Sequence, residues 1–147
     1  MASSKDRKKL GIAAGVAFVA LTAMEFVFNS VILKGVYQRP QYVHLWNPQP
    51  VMGGRMSAMF LAYAIFAILF TKIYTHGYEE GKPVLGQGSR YGFLVGVMVF
   101  SFWCLVDYMV YPVSLKLTGA WIAGGVVQTT ILGALVSLIY QPRPGQE

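Results

Sequence analysis

Residues 10–33 read LGIAAGVAFVALTAMEFVFNSVIL, an apolar run of 24 residues that holds a single charge, Glu25. At about 1.5 Å of rise per residue, such a helix crosses the ~30 Å hydrocarbon core of a bilayer. Three more runs succeed it, at about 54–74, 91–111 and 118–140. They leave too little chain for a soluble domain. Composition agrees, since 55% of the 147 residues are hydrophobic and 12% charged, where soluble domains carry about 25% charged residues. The chain therefore reads as all-α, one polytopic membrane domain over residues 1–147 with four transmembrane helices. Lys5, Arg7, Lys8 and Lys9 precede the first run as in a signal peptide. The run is longer than the ~7–15 residues of a signal core, and no clear small-x-small cleavage site comes after it, so it reads as a retained helix.

The net charge of +6 is spread in a way that argues for topology and against nucleic acid. Lys5, Arg7, Lys8, Lys9, Lys72, Lys82, Arg90 and Arg143 fall on one side of the four spans, against Lys34, Arg39, Arg55 and Lys116 on the other. Basic residues favour the cytoplasmic side, which places both termini there. Contact with the lipid bilayer accounts for the rest of the basic balance. Cys104, the only cysteine, excludes an internal disulfide and reads as a small packing residue. Pro40, Pro48 and Pro50 mark the first connection and Pro83 the second. Pro112 ends the third span, and Pro142 with Pro144 closes the fourth. Tyr37, Tyr42, Trp46, Tyr74, Tyr91, Tyr111, Trp121 and Tyr140 lie near span ends, the usual headgroup level for aromatics.

The two halves echo one another. GIAAGV at 11–16 matches GFLVGV at 92–97, and EFVFNSVILK at 25–34 matches DYMVYPVSLK at 107–116. Residues 53–74 resemble 119–140. Each copy would be a helical hairpin, so the two hairpins would be related by an axis along the membrane normal. The offset shifts from 81 to 82, one extra residue in the third span, which rotates the rest of that helix by about 100° unless a bulge absorbs it. The first outer connection, 35–54, is 16 residues longer than its counterpart and reads as an interfacial loop or a lid. His44 has no second histidine on its side, and HGYEE at 76–80 reads as a solvated loop, so no metal site is expected.

Glu25 and Asp107 are the specific signals. Each precedes a lysine by nine residues, which is about 13 Å of helix and about 900° of turn. Lys34 and Lys116 therefore point away from their own acids and read as snorkelling anchors. Partners must come from neighbouring helices, and counting to equal depth yields an inward polar layer of Glu25, Asn29, Tyr63, Asp107 and Gln128. An acid within a span costs roughly 2.5–3.5 kcal/mol on insertion scales and is a functional candidate for that reason. Gly11 with Gly15 and Gly92 with Gly96 are spaced four apart, and Gly124 continues the pattern in the fourth span. Such spacing lets helices approach closely, inside a bundle or across an oligomer face.

With MEFVFNSVILK early and YGFLVGVMVFSFWCLVDYMVYPVSL in the third span, the chain resembles an uncharacterised family of small bacterial four-helix integral membrane proteins. The resemblance implies a fold and an inner-membrane location, and no activity. Thiol pairs, histidine pairs and phosphate-binding loops are missing from the sequence, so no enzyme and no cofactor is expected. The expected function is action through helix–helix contacts, as a homo-oligomer or a small subunit of a larger membrane complex. The alternative is a proton-coupled carrier or permease using Glu25 and Asp107.

Overall fold

The computed structural model describes residues 4–46 and 49–140; Pro48, Pro142, Arg143 and Pro144 lie outside them. The first helix, α1 (Ser4–Val27), runs on through a π-helical turn at Phe28–Ile32. A single-turn helix, α2 (Lys34–Tyr37), and a 3-10 turn (Val43–Leu45) then lead to α3 (Gln49–His76), α4 (Val84–Val110) and α5 (Leu115–Ile139). Four segments are long and apolar enough to cross a membrane, Arg7–Ile32, Pro50–His76, Val84–Val110 and Leu115–Ile139. No strand occurs among the described residues. These four helices mark a membrane protein.

The helix ends obey local chemistry more than hydropathy. Pro50 sits in the first turn of α3, where its missing N–H has no helical partner to lose. Pro83 (φ −56°) stands before α4, which begins seven residues ahead of the apolar run starting at Tyr91. Tyr111 is extended (φ −106°, ψ 148°), as a residue before proline must be, and α4 ends there. Ser114 caps α5, its side chain accepting from the Leu117 N–H at 3.2 Å. The first span ends in a π-bulge, where the Leu33 N–H donates to the Phe28 carbonyl five residues back, at 2.9 Å, whereas α4 is regular α-helix throughout.

The closest pairing joins α4 to α5. Gly88, Gly92 and Gly96 line one face of α4, and a Cβ on each would run into α5: Gly133 and Ser137, the Thr129 carbonyl, and the Thr129 hydroxyl, in that order. Gly125 answers from α5 by receiving the Phe100 ring. On the other side of α5, Ala17 and Leu21 of α1 pack with Leu132 and Val136, together with Ala67, Phe70 and Tyr74 of α3. The buried threonine hydroxyls bond within their own helices, Thr71 to the Ala67 carbonyl and Thr129 to the Gly125 carbonyl, each at 2.8 Å.

Leu33 also meets Leu117, so α1 and α5 run antiparallel and the start of α1 shares an end with the finish of α5. We call this the basal end. There the Tyr91 hydroxyl donates to the Phe70 carbonyl at 2.7 Å, with the Phe70 and Tyr74 rings against Tyr91, so α3 reaches α4. Gly81, with φ +79°, turns the short basal connection.

At the opposite, capped end, the connection after α1 folds over the start of α5. Tyr42, expected among the headgroups, is only 2% exposed and packs with Leu33, Val113 and Leu117. Its hydroxyl accepts from the Ser114 N–H at 3.3 Å. Tyr74 is likewise a core residue, 2% exposed. Aromatics at span ends serve core and headgroup equally well, and here the packing of α5 decides between them.

Candidate functional site

Glu25 lies half-buried on α1 at the end of a hydrogen-bonded chain. The Trp121 indole N–H donates to the Tyr37 hydroxyl at 2.9 Å, and that hydroxyl donates to Asn29 Oδ1 at 2.7 Å. Asn29 Nδ2 then donates to Glu25 Oε2 at 2.6 Å. An indole nitrogen can only donate and an ionised carboxylate can only accept, so the links run from Trp121 to Glu25 as the terminal acceptor. Four side chains from α1, α2 and α5 are thereby tied across the capped end. Burial raises the Tyr37 phenol above its ordinary range, against the Trp121 bond and with the Glu25 charge, so Tyr37 keeps the proton it donates.

The remaining members of the expected layer are placed separately. Tyr63 of α3 is half-buried within electrostatic reach of Glu25, without a hydrogen bond to it. Gln128 is 5% exposed, and neither end of its amide has a partner among the described residues. Asp107 is half-buried on the last turn of α4 near Cys104, and among the described residues its carboxylate has no ion-pair partner. The structure thus brings Glu25 and Asn29 together and leaves Asp107 apart from them. Lys34 and Lys116 are exposed. An apolar groove of about 550 Å³ runs between α1 and α5, walled by Met24, Val27 and Phe28 facing Ala123, Gly124 and Gln128. Neither acid lines it.

The glycines divide in the same way. Gly92 and Gly96 are buried in the α4–α5 seam, and Gly124 receives the Phe28 ring. Gly11 and Gly15 are exposed on α1, with nothing near enough to touch an added Cβ. Gly53 and Gly54 of α3 stand equally open. They belong to a larger feature: every residue of α3 from 50 to 62 is exposed, among them Arg55, Ser57 and Ala58. The basal half of α3 is held in the core through Ala67, Phe70, Thr71 and Tyr74. The capped half touches α1 at the Phe18–Phe60 ring pair, centroids 6.5 Å apart. It is the least covered helical segment of the four spans.

Compared with protein-family models, curated proteins and solved structures, the chain matches none. Its site is therefore read from geometry. Among the described residues, no three His, Cys, Asp or Glu side chains gather as metal ligands. Sequence reasoning overlooked Tyr37 and Trp121, which it assigned to headgroups, and Gly88, which extends the Gly92 and Gly96 spacing by one turn. The spacing could have revealed Gly88 had the helix been started ahead of Tyr91. The open half of α3 left no mark in the hydropathy, because lipid-facing and partner-facing apolar residues look alike.

Proposed function

We propose that this protein acts through contacts between membrane helices, self-associated or as a small subunit of a larger complex, and carries out no catalysis of its own. The observation that carries this reading is the uncovered capped half of α3, residues 50–62, with Gly53, Gly54, Arg55 and Ser57 on its surface. Glycine and serine give a helix little to hold against lipid tails and much to offer a neighbouring backbone, so such a surface favours a protein neighbour. Gly11 and Gly15 on α1 supply a second open small-residue surface. The location that fits is a bacterial inner membrane with both termini in the cytoplasm, for which the eight-to-four division of basic residues is the support. A duplicated hairpin remains the simplest account of the echoing halves.

Purification of the full chain in mild detergent tests the reading. The expected product is an associated species, of this chain alone or with another membrane protein. A monodisperse single chain with nothing bound would contradict it. A proton-coupled carrier is the second reading, favoured by the chain of donors ending on Glu25. Glu25→Gln together with Asp107→Asn should then abolish pH-dependent flux in liposomes while leaving the fold intact. Unchanged flux removes that reading.

A further inference from the structure

At the basal end, the connection between α3 and α4 closes over a pocket that Gln87 holds in shape. The Gln87 amide oxygen accepts from the Glu79 N–H at 2.8 Å, and its amide nitrogen donates to the Glu79 and Lys82 carbonyls at 2.8 and 3.1 Å. One side chain thus fixes three backbone groups of the loop that Gly81 turns. The space enclosed is about 340 Å³, within the ~300–1,000 Å³ of ligand pockets. A pocket tied in this way binds without first having to order its loop.

The lining changes from charged to apolar with depth. Glu79, Lys82 and Arg90 supply the charges, and Tyr74, Tyr91 and Leu94 the apolar surface. The Tyr74 and Tyr91 ring centroids lie 5.5 Å apart, and the Tyr91 hydroxyl is already engaged by the Phe70 carbonyl. Arg90 stands where the apolar run begins, at the boundary between headgroups and hydrocarbon. Leu94 is one turn deeper and 55% exposed. Arg90 and Leu94 each lie about 200° of turn from Gly92, whose face is pressed against α5. The pocket therefore opens on the side of α4 turned away from the bundle, toward lipid.

Its charges leave one cation unmatched. Lys82 pairs with Glu79, which takes only part of the capacity of an ammonium with three donors. Arg90 is within electrostatic reach of Glu79, but among the described residues it has no ion pair. Two cations against one acid leave an excess of one positive charge in the pocket. The planar guanidinium fork matches two oxygens of a phosphate. A free phosphate would occupy the charged level and leave the tyrosine rings and Leu94 uncovered. A ligand that uses both levels has a singly charged phosphate with an apolar chain directly beneath it, and basic pockets between membrane helices hold anionic lipid headgroups by the same chemistry.

We propose that this pocket binds an anionic phospholipid, with its phosphate on Arg90 and Lys82 and the start of its chain against Tyr91 and Leu94. The site does not depend on the helix contacts proposed above.

Native mass spectrometry of the full chain in mild detergent, with lipid added, tests it. The wild-type chain should retain one phosphatidylglycerol and release phosphatidylcholine. Arg90→Gln should weaken retention at least about tenfold, the contribution of a hydrogen bond to a charged group. Lys72→Gln removes an equal charge from the basal half of α3, outside the pocket, and should leave the lipid bound. Gln87→Ala keeps every charge and should still weaken retention, because the loop loses its tie. Inorganic phosphate at the lipid's own concentration should not displace it.

Equal retention of the two lipids by the wild-type chain overturns the proposal without any variant. Equal losses in Arg90→Gln and Lys72→Gln overturn it as well, since the lipid would then be answering the general charge of the basal end. Displacement by inorganic phosphate overturns the lipid and assigns the pocket to a soluble anion. None of these outcomes bears on whether α3 is covered by protein, so the two readings fail separately.

Discussion

Trp121, Tyr37, Asn29 and Glu25 form a chain in which each donor is polarised by the one before it, so the effect of removing one link extends beyond its own bond. Asn29→Ala breaks the middle. It should cost about 0.5–1.5 kcal/mol per lost bond, the usual net for an intramolecular hydrogen bond, in a reversible unfolding measurement. Asn29 and Trp121 share no hydrogen bond, so a double-mutant cycle with Asn29→Ala and Trp121→Phe should still give a coupling of about 0.5 kcal/mol or more. Additive effects would reduce the chain to separate pairs. At the basal end Lys82 holds the Glu79 carboxyl below the usual carboxylate range, through their ion pair and charge, with Arg90 adding to it. The folded value lies below the unfolded one, so the pair's contribution is complete above the ordinary carboxylate range and fades as pH falls through the depressed value. Lys82→Met should move the Glu79 midpoint upward in a carboxyl NMR titration.

Among the elements, α4 and α5 depend on glycine because their backbones meet. Gly92→Ala drives a methyl into the Thr129 carbonyl and should destabilise the chain by about 1–3 kcal/mol, the range for overpacking in a tight interior. The same change at Gly11, where nothing lies within 4 Å of an added Cβ, should not destabilise the single chain and should stabilise it by up to about 1 kcal/mol through the better helix propensity of alanine. Equal losses at both positions in a detergent unfolding series would contradict the seam. Spacing of four identified Gly92 and Gly96 as helix-packing residues, yet gave Gly11 and Gly15 the same signature, because spacing records a capacity for close approach and not which surface uses it. Element ends were misjudged for a related reason. Residues 84–90 hold two glycines and an arginine and resemble a loop in hydropathy, but they pack on α5 and continue the helix.

For the whole molecule, length and apolar content were enough to set the class, since four runs of bilayer length in 147 residues admit few arrangements. The polar layer was legible only in part. Depth along a helix can be counted, and the count located Asn29 beside Glu25, but rotation about the helix and the choice of neighbouring helix cannot be counted, and these set Asp107 apart. Action through helix contacts requires the capped half of α3 to be covered by protein in the membrane. The most direct measurement is oxygen accessibility of nitroxide labels placed singly at positions 52–62 of the full chain in bilayers, with Cys104 replaced by alanine. The expected pattern is a helical period, with the face of Gly53, Gly54 and Ser57 protected to the level of the buried Ala67 position and the opposite face open. Uniformly high accessibility around the helix would contradict it.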